Sequence, residues 1–482
     1  MQVKKLVSLC AIACAAIGGQ AHAAMSAAET AVVNDAVLSG RVIFISGASA
    51  TQKGFTSIIN TLFTGTPIRF ANTTGSSKDF EAVAGTLAAG AGAWSGQKVI
   101  IIDRVKGGSV FGVDPVARAT KIESLSVTSA CGATGAGTAA SPYVCATTAG
   151  ASNMVPDAGV SDVAPALFQN PFNTEGETAA SALNADELAD LTSTAIYGLA
   201  FGVPVTKNVP LINLNKAAVS AIMTGNVGTW AQVDSSMATE ADPTGGDIVV
   251  CRRVPGSGTQ AVDNMYFGNF PCSGDYNVPA DRDASTAWDS AARKFTVTAN
   301  SGGLVVVENS TSGDVRKCLD QAVTGNTYVT KDRDGKDVTV DFGAGGHKAI
   351  GVLSMDSLKD SKIVGKWQFR SLDGAGTYTW DNTTIAPVAT GTGKFPTLAS
   401  YVDGTWDLQG WISFNVPSRT VGAKKAVLDQ FLVKAQDPAI LASIADLKNV
   451  AAAIPGGAYS GAQVLRAAYL SGNQCAPYNR NN

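Results

Sequence analysis

Three loops rich in Gly, Ser and Thr carry the side chains most suited to chemistry in this sequence. Each follows a strand-like apolar run: ISGASATQ (45–52), RVKGGSVFG (104–112) and RRVPGSGTQ (252–260). Ligands of α/β folds bind at the carboxyl ends of strands, where glycine allows close backbone approach and free N–H groups point outward. We expect such loops to converge on a small oxyanion, although each one alone also fits an ordinary helix cap.

Other chemistries fit the spacing less well. No loop matches G-x-x-x-x-G-K-[ST], and PGSGT departs from the nucleophile pattern G-x-S-x-G. Since His22 lies in the N-terminal leader, a catalytic triad or histidine metal site has to use His347. The cysteines show no C-x-x-C spacing. We therefore expect anion binding without catalysis, metal or cofactor.

The N-terminus has the pattern of a bacterial secretory signal. Lys4 and Lys5 precede an apolar run, and AHAA follows, which predicts a signal peptide over 1–23. Without these lysines the 36 Lys and Arg fall to 34 against 39 Asp and Glu, a net charge of about −5. This balance excludes a basic nucleic-acid binder. We expect a periplasmic or secreted protein with no membrane span after cleavage.

Six cysteines remain after the signal peptide, and an exported protein uses an even number for disulfides. Proximity in the sequence favours Cys131 with Cys145 and Cys251 with Cys272, leaving Cys318 for Cys475. Other pairings stay open at this stage.

Apolar runs alternate with helical patterns along the chain, which predicts an α/β protein with mostly parallel sheets. The predicted strands include RVIFI (41–45), KVIIIDRV (98–105), DIVVCRR (247–253), GLVVVEN (303–309) and KAIGVLSM (348–355). One or two helices are predicted over 424–447. Two segments have the composition of insertions: 128–153, held by Cys131 and Cys145, and 325–345, a predicted hairpin around RDGK.

Five motifs occur in an order that resembles the phosphate-binding proteins of bacterial ABC transporters, in the type 2 periplasmic binding protein superfamily. They are GASAT, GVSD, NKAAVSAIMTGNVGTW, RRVPGSGTQ and GHKAIGVLSM, with a more distant likeness in LDGAGTYTWDNTTIAPVATGTGKFP (372–396). The resemblance covers roughly residues 41–400 in pieces.

The resemblance implies a two-lobe Venus-flytrap fold that closes over inorganic phosphate. The hinge crossovers are expected near 197–205 and 349–354, with lobe 1 formed by 24–204 plus 351–482 and lobe 2 by 205–350. It also implies an ABC permease as partner, and we expect a monomer.

Carried over by position, the resemblance assigns phosphate binding to seven residues: Thr51, Gln52, Asp162, Arg253, Ser257, Gly258 and Thr259. Ser49 and Ser109 are further candidates. Ser109 departs from the family pattern, because it follows the glycines of KGGSVFG where the family's serines precede them. An arginine fork binds two phosphate oxygens at once, and a carboxylate accepts the proton that phosphate retains and sulfate lacks. Relatives commonly place an Asp that pairs with the arginine where this chain has Pro255, so the anion's identity is open.

Two alternatives compete with the receptor hypothesis. Secreted relatives of this fold are associated with phosphatase activity, and the longer chain with its insertions also fits a non-transport surface role. The ligand itself could be another tetrahedral oxyanion, such as arsenate or molybdate.

Overall fold

A mixed sheet of 15 strands organises the fold. The computed structural model describes residues 25–49, 52–75, 78–176, 178–298, 303–358, 365–373, 378–381, 386–389, 397–454, 463–476 and 478–480. The predicted signal peptide, 1–23, lies outside the described residues. The expected α/β class is confirmed, since helices and strands alternate along most of the chain.

The long strand β7 (Leu191–Thr206) joins two halves of the sheet. From Leu191 to Ala200 it pairs antiparallel with β20 (Gln409–Pro417), and its remaining residues pair with strands of the second half. We call the strands reached through β20 the first half, and those paired with the end of β7 the second half.

The first half has parallel strands at its centre and antiparallel strands towards its edge. In spatial order it contains β20, β6 (Ala158–Ser161), β1 (Val42–Gly47), β4 (Lys98–Arg104), β3 (Phe80–Leu87), β2 (Phe63–Ala71) and β5 (Tyr143–Val144). Strands β6, β1 and β4 run parallel. The continuous apolar runs predicted as buried strands are confirmed here, because both faces of this sheet are covered.

The second half is built around three parallel strands. They are β12 (Val305–Asn309), β9 (Ile248–Arg253) and β15 (Lys348–Gly351), and β15 also pairs with β7. Shorter strands extend this region: β8 (Asn213–Leu214), β16 (Leu353–Ser354) and β17 (Trp367–Leu372), with β21 (Ala451–Ala452) on the other part of β7.

Three small sheets complete the strand inventory of the described residues. The predicted hairpin around RDGK is confirmed as β13 (Thr327–Lys331) and β14 (Asp337–Asp341), which join β11 (Lys294–Thr296) and β10 (Trp288–Asp289). The others are β18 (Tyr378–Asp381) with β19 (Ala386–Ala389), and β22 (Ala467–Tyr469) with β23 (Tyr478–Arg480).

Helices cover both halves. Within the described ranges they are α1 (Ala27–Leu38), α2 (Gln52–Asn60), α3 (Asp114–Ala117), α4 (Ala185–Ala189), α5 (Lys216–Met223), α6 (Trp230–Val233), α7 (Gly258–Gly268), α8 (Ser312–Thr324), α9 (Leu398–Val402), α10 (Gly422–Ala435) and α11 (Pro438–Ser443). Helices α10 and α11 confirm the pair predicted over 424–447. Phe55 of α2 packs on Phe431 of α10, with ring centroids 4.7 Å apart, so these two helices share one apolar layer.

The disulfides pair differently from the proximity expectation in two of three cases. Cys131–Cys145 is confirmed and closes the insertion at 128–153, whose strand β5 pairs with β2. The expected pairs Cys251–Cys272 and Cys318–Cys475 are wrong, because the structure joins Cys251 to Cys318 and Cys272 to Cys475. Cys251 lies on β9 beneath α8, which carries Cys318, so packing of helix on strand brings together residues that are 67 positions apart.

No helix within the described ranges combines the length and the apolar composition needed to cross a bilayer.

Candidate functional site

Loops from both halves of the sheet meet at the carboxyl ends of the parallel strands. The Val110 N–H, after β4, donates to the Gly256 carbonyl, after β9, at 2.9 Å. The Gly256 N–H donates to the Asn173 carbonyl of the first half at 3.1 Å. We use the name cradle for the polar residues gathered around this contact: Ser49, Ser109, Asp162, Arg253, Gly258, Thr259, Ser310 and Ser312.

Arg253, the last residue of β9, is 1% exposed at the centre of the cradle. Its Nη1 donates to Ser49 Oγ at 3.2 Å and to Ser312 Oγ at 3.1 Å. Its Nη2 donates to the Ser310 carbonyl at 2.7 Å. Nε has no hydrogen-bond partner among the described residues. One planar fork therefore connects Ser49 of the first half with two residues of the second.

The hydrogen-bond partners of Arg253 show what holds its guanidinium when position 255 is a proline. Two hydroxyls and a carbonyl orient the guanidinium, so a neighbouring carboxylate is not needed to hold it. Burial lowers the pKa of Arg253 to about 10, against the opposing effect of Asp162 and Asp314, so the group stays cationic at neutral pH. Neutral partners orient this charge and leave it available to an anion.

Asp162, directly after β6, is the carboxylate of the cradle and is 1% exposed. Thr259 Oγ1 donates to its Oδ2 at 3.4 Å, and Oδ1 has no partner in the part of the chain that the structure describes. Burial raises the pKa of Asp162 to about 7, although the positive charge of Arg253 opposes the shift. The carboxyl can therefore exchange a proton near neutral pH.

Gly258, the first residue of α7, has to be glycine for the cradle to close. A Cβ at this position would lie 2.3 Å from Ser109 Oγ and 2.6 Å from the Cβ of Asp162. Ser109 is fully buried, and its Oγ accepts a hydrogen bond from the Asp162 N–H at 3.2 Å. The missing side chain thus allows the N-terminus of α7 to contact the loops after β4 and β6.

Some of the predicted ligand residues lie in the cradle, whereas Ser257 contributes to the start of α7. Ser257 caps α7, since its Oγ accepts from the Gln260 N–H at 3.4 Å. Thr259 contacts Asp162, and Ser49 and Ser109, the two further candidates, both lie in the cradle. Thr51 lies outside the described residues. Gln52 begins α2 close to Ser49 in the sequence.

Sequence reasoning missed Ser310 and Ser312, which follow β12 at the N-terminus of α8. The signal was present as NSTSGD (309–314), a fourth Ser/Thr/Gly loop after a predicted buried strand. Since parallel strands β9 and β12 are neighbours, their carboxyl ends share one edge, and this loop had to approach Arg253 at the end of β9.

The histidine is placed outside the cradle. His347 Nε2 lies 3.0 Å from the Phe342 carbonyl, and its ring packs on that of Phe342 with centroids 5.5 Å apart. Within the described ranges, no three His, Cys, Asp or Glu side chains are arranged to hold a metal ion.

A polar cavity of about 340 Å³ adjoins the cradle. Ser49 and Ser312, both bonded to Arg253, line it where it meets the cradle. It extends past α2 and the start of α8 to Arg69, Lys78 and Arg316. The cradle and the cavity thus share two residues, Ser49 and Ser312.

Several solved structures are similar to this chain at low sequence identity. A substrate-binding protein from Clostridium perfringens, solved with bound phosphate, is 11% identical at a TM-score of 0.40, with 85% of this chain and 98% of that chain covered. A phosphate-binding protein from Stenotrophomonas maltophilia is 13% identical at a TM-score of 0.37, covering 82% and 84%. PstS from Borrelia burgdorferi is 11% identical at a TM-score of 0.34, covering 82% and 93%.

No protein-family model matches the sequence. No curated protein matches it either. The interpretation of the cradle therefore depends on its own geometry.

Proposed function

We propose that this chain is an exported solute-binding protein that binds inorganic phosphate, or a similar tetrahedral oxyanion, in the cradle. The observation that carries the proposal is a pair of buried, incompletely bonded polar groups of complementary chemistry. Arg253 presents a cationic Nε, and Asp162 presents an acceptor, Oδ1. A buried polar atom without a partner costs about 1–3 kcal/mol, and a bound oxyanion would satisfy both atoms.

Phosphate suits this pair better than sulfate at alkaline pH. Hydrogen phosphate carries a proton that it can donate to ionised Asp162 while its other oxygens accept from Arg253. Sulfate has no proton, so it would face the carboxylate with repulsion and leave Oδ1 unsatisfied.

The proposed mechanism is binding without catalysis. The hydroxyl of Thr259 is 3.4 Å from Asp162, which accepts its hydrogen bond, and Ser257 is occupied in capping α7. Neither hydroxyl is paired with a histidine, since His347 packs on Phe342. These contacts support a binding role for the hydroxyls.

We further propose that the two halves of the sheet act as lobes about β7, and that the protein delivers its anion as a monomer to an ABC permease from the periplasm. The expected lobe boundaries at 204/205 and 350/351 stay a prediction, with one change. Strand β17 pairs with the end of β7 and with β8, so residues 367–372 are grouped with the second lobe.

Calorimetry on ligand-free mature protein at pH 8 tests the proposal. We expect phosphate to bind at least tenfold more tightly than sulfate, about 1.4 kcal/mol. Asp162→Asn should reduce this preference. Asp114→Asn should leave it unchanged, because Asp114 is a buried carboxylate that pairs with Arg118 and lies outside the cradle. Absence of phosphate binding by the wild-type protein would overturn the assignment.

A further inference from the structure

The cavity beside the cradle is larger than a free oxyanion requires. Its volume of about 340 Å³ lies within the range of about 300–1,000 Å³ that is usual for sites of small organic molecules. Inorganic phosphate has only five heavy atoms. If phosphate occupies the cradle, most of the cavity remains for a group attached to it.

Lobe closure does not account for the space, because the two halves already touch around the cradle. Arg253 bonds to Ser49 across the halves, and Thr259 bonds to Asp162 across them at 3.4 Å. The Val110 N–H to Gly256 carbonyl bond at 2.9 Å is a third such contact. The cavity therefore persists with the halves in contact.

The wall of the cavity is polar and rich in hydroxyls. Among the described residues that line it, five carry a hydroxyl: Ser49, Thr56, Ser57, Thr311 and Ser312. In the same set, Val105 and Ala139 have purely hydrocarbon side chains. Such a wall offers hydrogen bonds to alcohol groups and little apolar surface to an aromatic ring.

The charges of the wall do not favour a second anionic group. The described part of the wall has the cations Arg69, Lys78 and Arg316 and the carboxylates Asp79, Glu81, Asp356 and Asp446, four against three. Glu81 lies 3.5 Å from both Arg69 and Lys78, so these cations already face a carboxylate. A bisphosphate would place its second charge among these carboxylates.

Arg69 adds an unsatisfied donor to the outer part of the cavity. The residue is 8% exposed, and its Nε has no hydrogen-bond partner among the described residues. A ligand hydroxyl can accept a hydrogen bond from the Arg69 guanidinium without adding net charge. Arg69 thus lines the outer part of the cavity, and Arg253 lies behind Ser49 and Ser312 at the inner part.

We propose that the site binds phosphomonoesters of polyols or sugars, with the phosphoryl group in the cradle and the hydroxylated part in the cavity. This inference rests on the proposed phosphate-binding function and specifies its ligand class. The phosphoryl group would contact Arg253, and the alcohol groups would face the hydroxyl wall and Arg69.

Calorimetry with a panel of ligands tests the inference. Glycerol 3-phosphate and glucose 6-phosphate should bind at least as tightly as inorganic phosphate. Phenyl phosphate and fructose 1,6-bisphosphate should bind at least tenfold more weakly than glucose 6-phosphate.

A larger side chain at Ser57, which is half-buried on α2 and lines the cavity outside the cradle, tests the role of the cavity separately. Ser57→Phe should weaken glucose 6-phosphate at least tenfold and change phosphate less than twofold, whereas Ser57→Ala should weaken the ester less than threefold.

The outcomes separate the two proposals. Binding of phosphate without the polyol esters would overturn the ligand class and leave the phosphate receptor intact. Equal affinity for phenyl phosphate and glucose 6-phosphate, unchanged in Ser57→Phe, would also overturn it, because the cavity would then contribute nothing. If neither phosphate nor any ester binds, both proposals fail. Melting temperatures of the variants, measured without ligand, identify a folding defect independently of binding.

Discussion

Replacement of Asp162 by Asn should change how the stability of the ligand-free protein depends on pH. In the folded chain, burial raises the pKa of Asp162 to about 7. In the unfolded chain the carboxyl titrates near its ordinary value of about 3.9. Between these two values the folded state holds a proton that the unfolded state has lost, so the free energy of unfolding falls as pH rises and levels off above about 7.

The size of the effect follows from the separation of the two pKa values. Each pH unit between them corresponds to about 1.4 kcal/mol, so the wild-type protein should lose about 2–3 kcal/mol between pH 5 and pH 7 through this one group. An asparagine does not titrate and keeps nearly the same shape. The variant should therefore gain about 2–3 kcal/mol relative to wild type over this interval.

Urea unfolding at half-unit steps from pH 4.5 to 8.5, in phosphate-free buffer, measures the difference. Other raised carboxyls, such as Asp263, are common to both proteins and cancel in the comparison. Asp114→Asn is the matched control, because burial also raises the pKa of Asp114 to about 7. It should show the same kind of pH-dependent gain while leaving anion binding unaltered. If the free energies of unfolding of wild type and Asp162→Asn changed in parallel with pH, the argument that burial affects the pKa of Asp162 more than the charge of Arg253 does would be refuted.

Three further variants test the cradle and one of the disulfides. Arg253→Lys should weaken phosphate at least tenfold in calorimetry, because a single ammonium cannot reproduce a fork that reaches two hydroxyls and a carbonyl; an unchanged affinity would contradict this. Gly258→Ala should lower the free energy of unfolding by about 1–3 kcal/mol, since its Cβ would lie 2.3 Å from Ser109 Oγ. The double variant Cys272→Ser and Cys475→Ser should lose about 2–5 kcal/mol in urea unfolding, because the bond closes a separation of 203 residues. Mild reductant should open this bond before the fully buried Cys251–Cys318, with alkylation and mass spectrometry as the measurement.

The sequence predicted strands and their terminal loops well because both depend on local patterns. Runs such as VIFI and IVVC are apolar on both faces, which a buried parallel strand requires, and the structure has them as β1 and β9. Ser49 lies in the loop after β1 and Arg253 is the last residue of β9, and in the structure Arg253 Nη1 lies 3.2 Å from Ser49 Oγ. Local pattern and the rule for strand ends predicted that these two regions approach each other, but not which side chains would bond.

Local sequence patterns could not predict the contacts between segments that are distant in the chain. The pairing of Cys251 with Cys318 depends on which helix covers β9, and proximity along the chain favoured Cys272 instead. Likewise, Pro255 showed that a partner of Arg253 was missing but could not show its replacement. That replacement comes from Ser49 and the loop after β12, more than 50 residues away on either side.

The neutral partners of Arg253 give the cradle a charge that depends on Asp162. With Asp162 protonated the pair carries one positive charge, and with Asp162 ionised it carries none. Under the proposed function, phosphate binds with one proton placed between it and Asp162. Below pH 7 Asp162 can supply this proton, and above pH 7 hydrogen phosphate can supply it. Sulfate can use only the proton of Asp162. Calorimetry should therefore show sulfate affinity rising as pH falls from 8 to 6, with phosphate affinity changing much less, and Asp162→Asn should bind sulfate with no such dependence. A sulfate affinity that is flat with pH in the wild-type protein would mean that the Asp162 proton does not control the choice of anion.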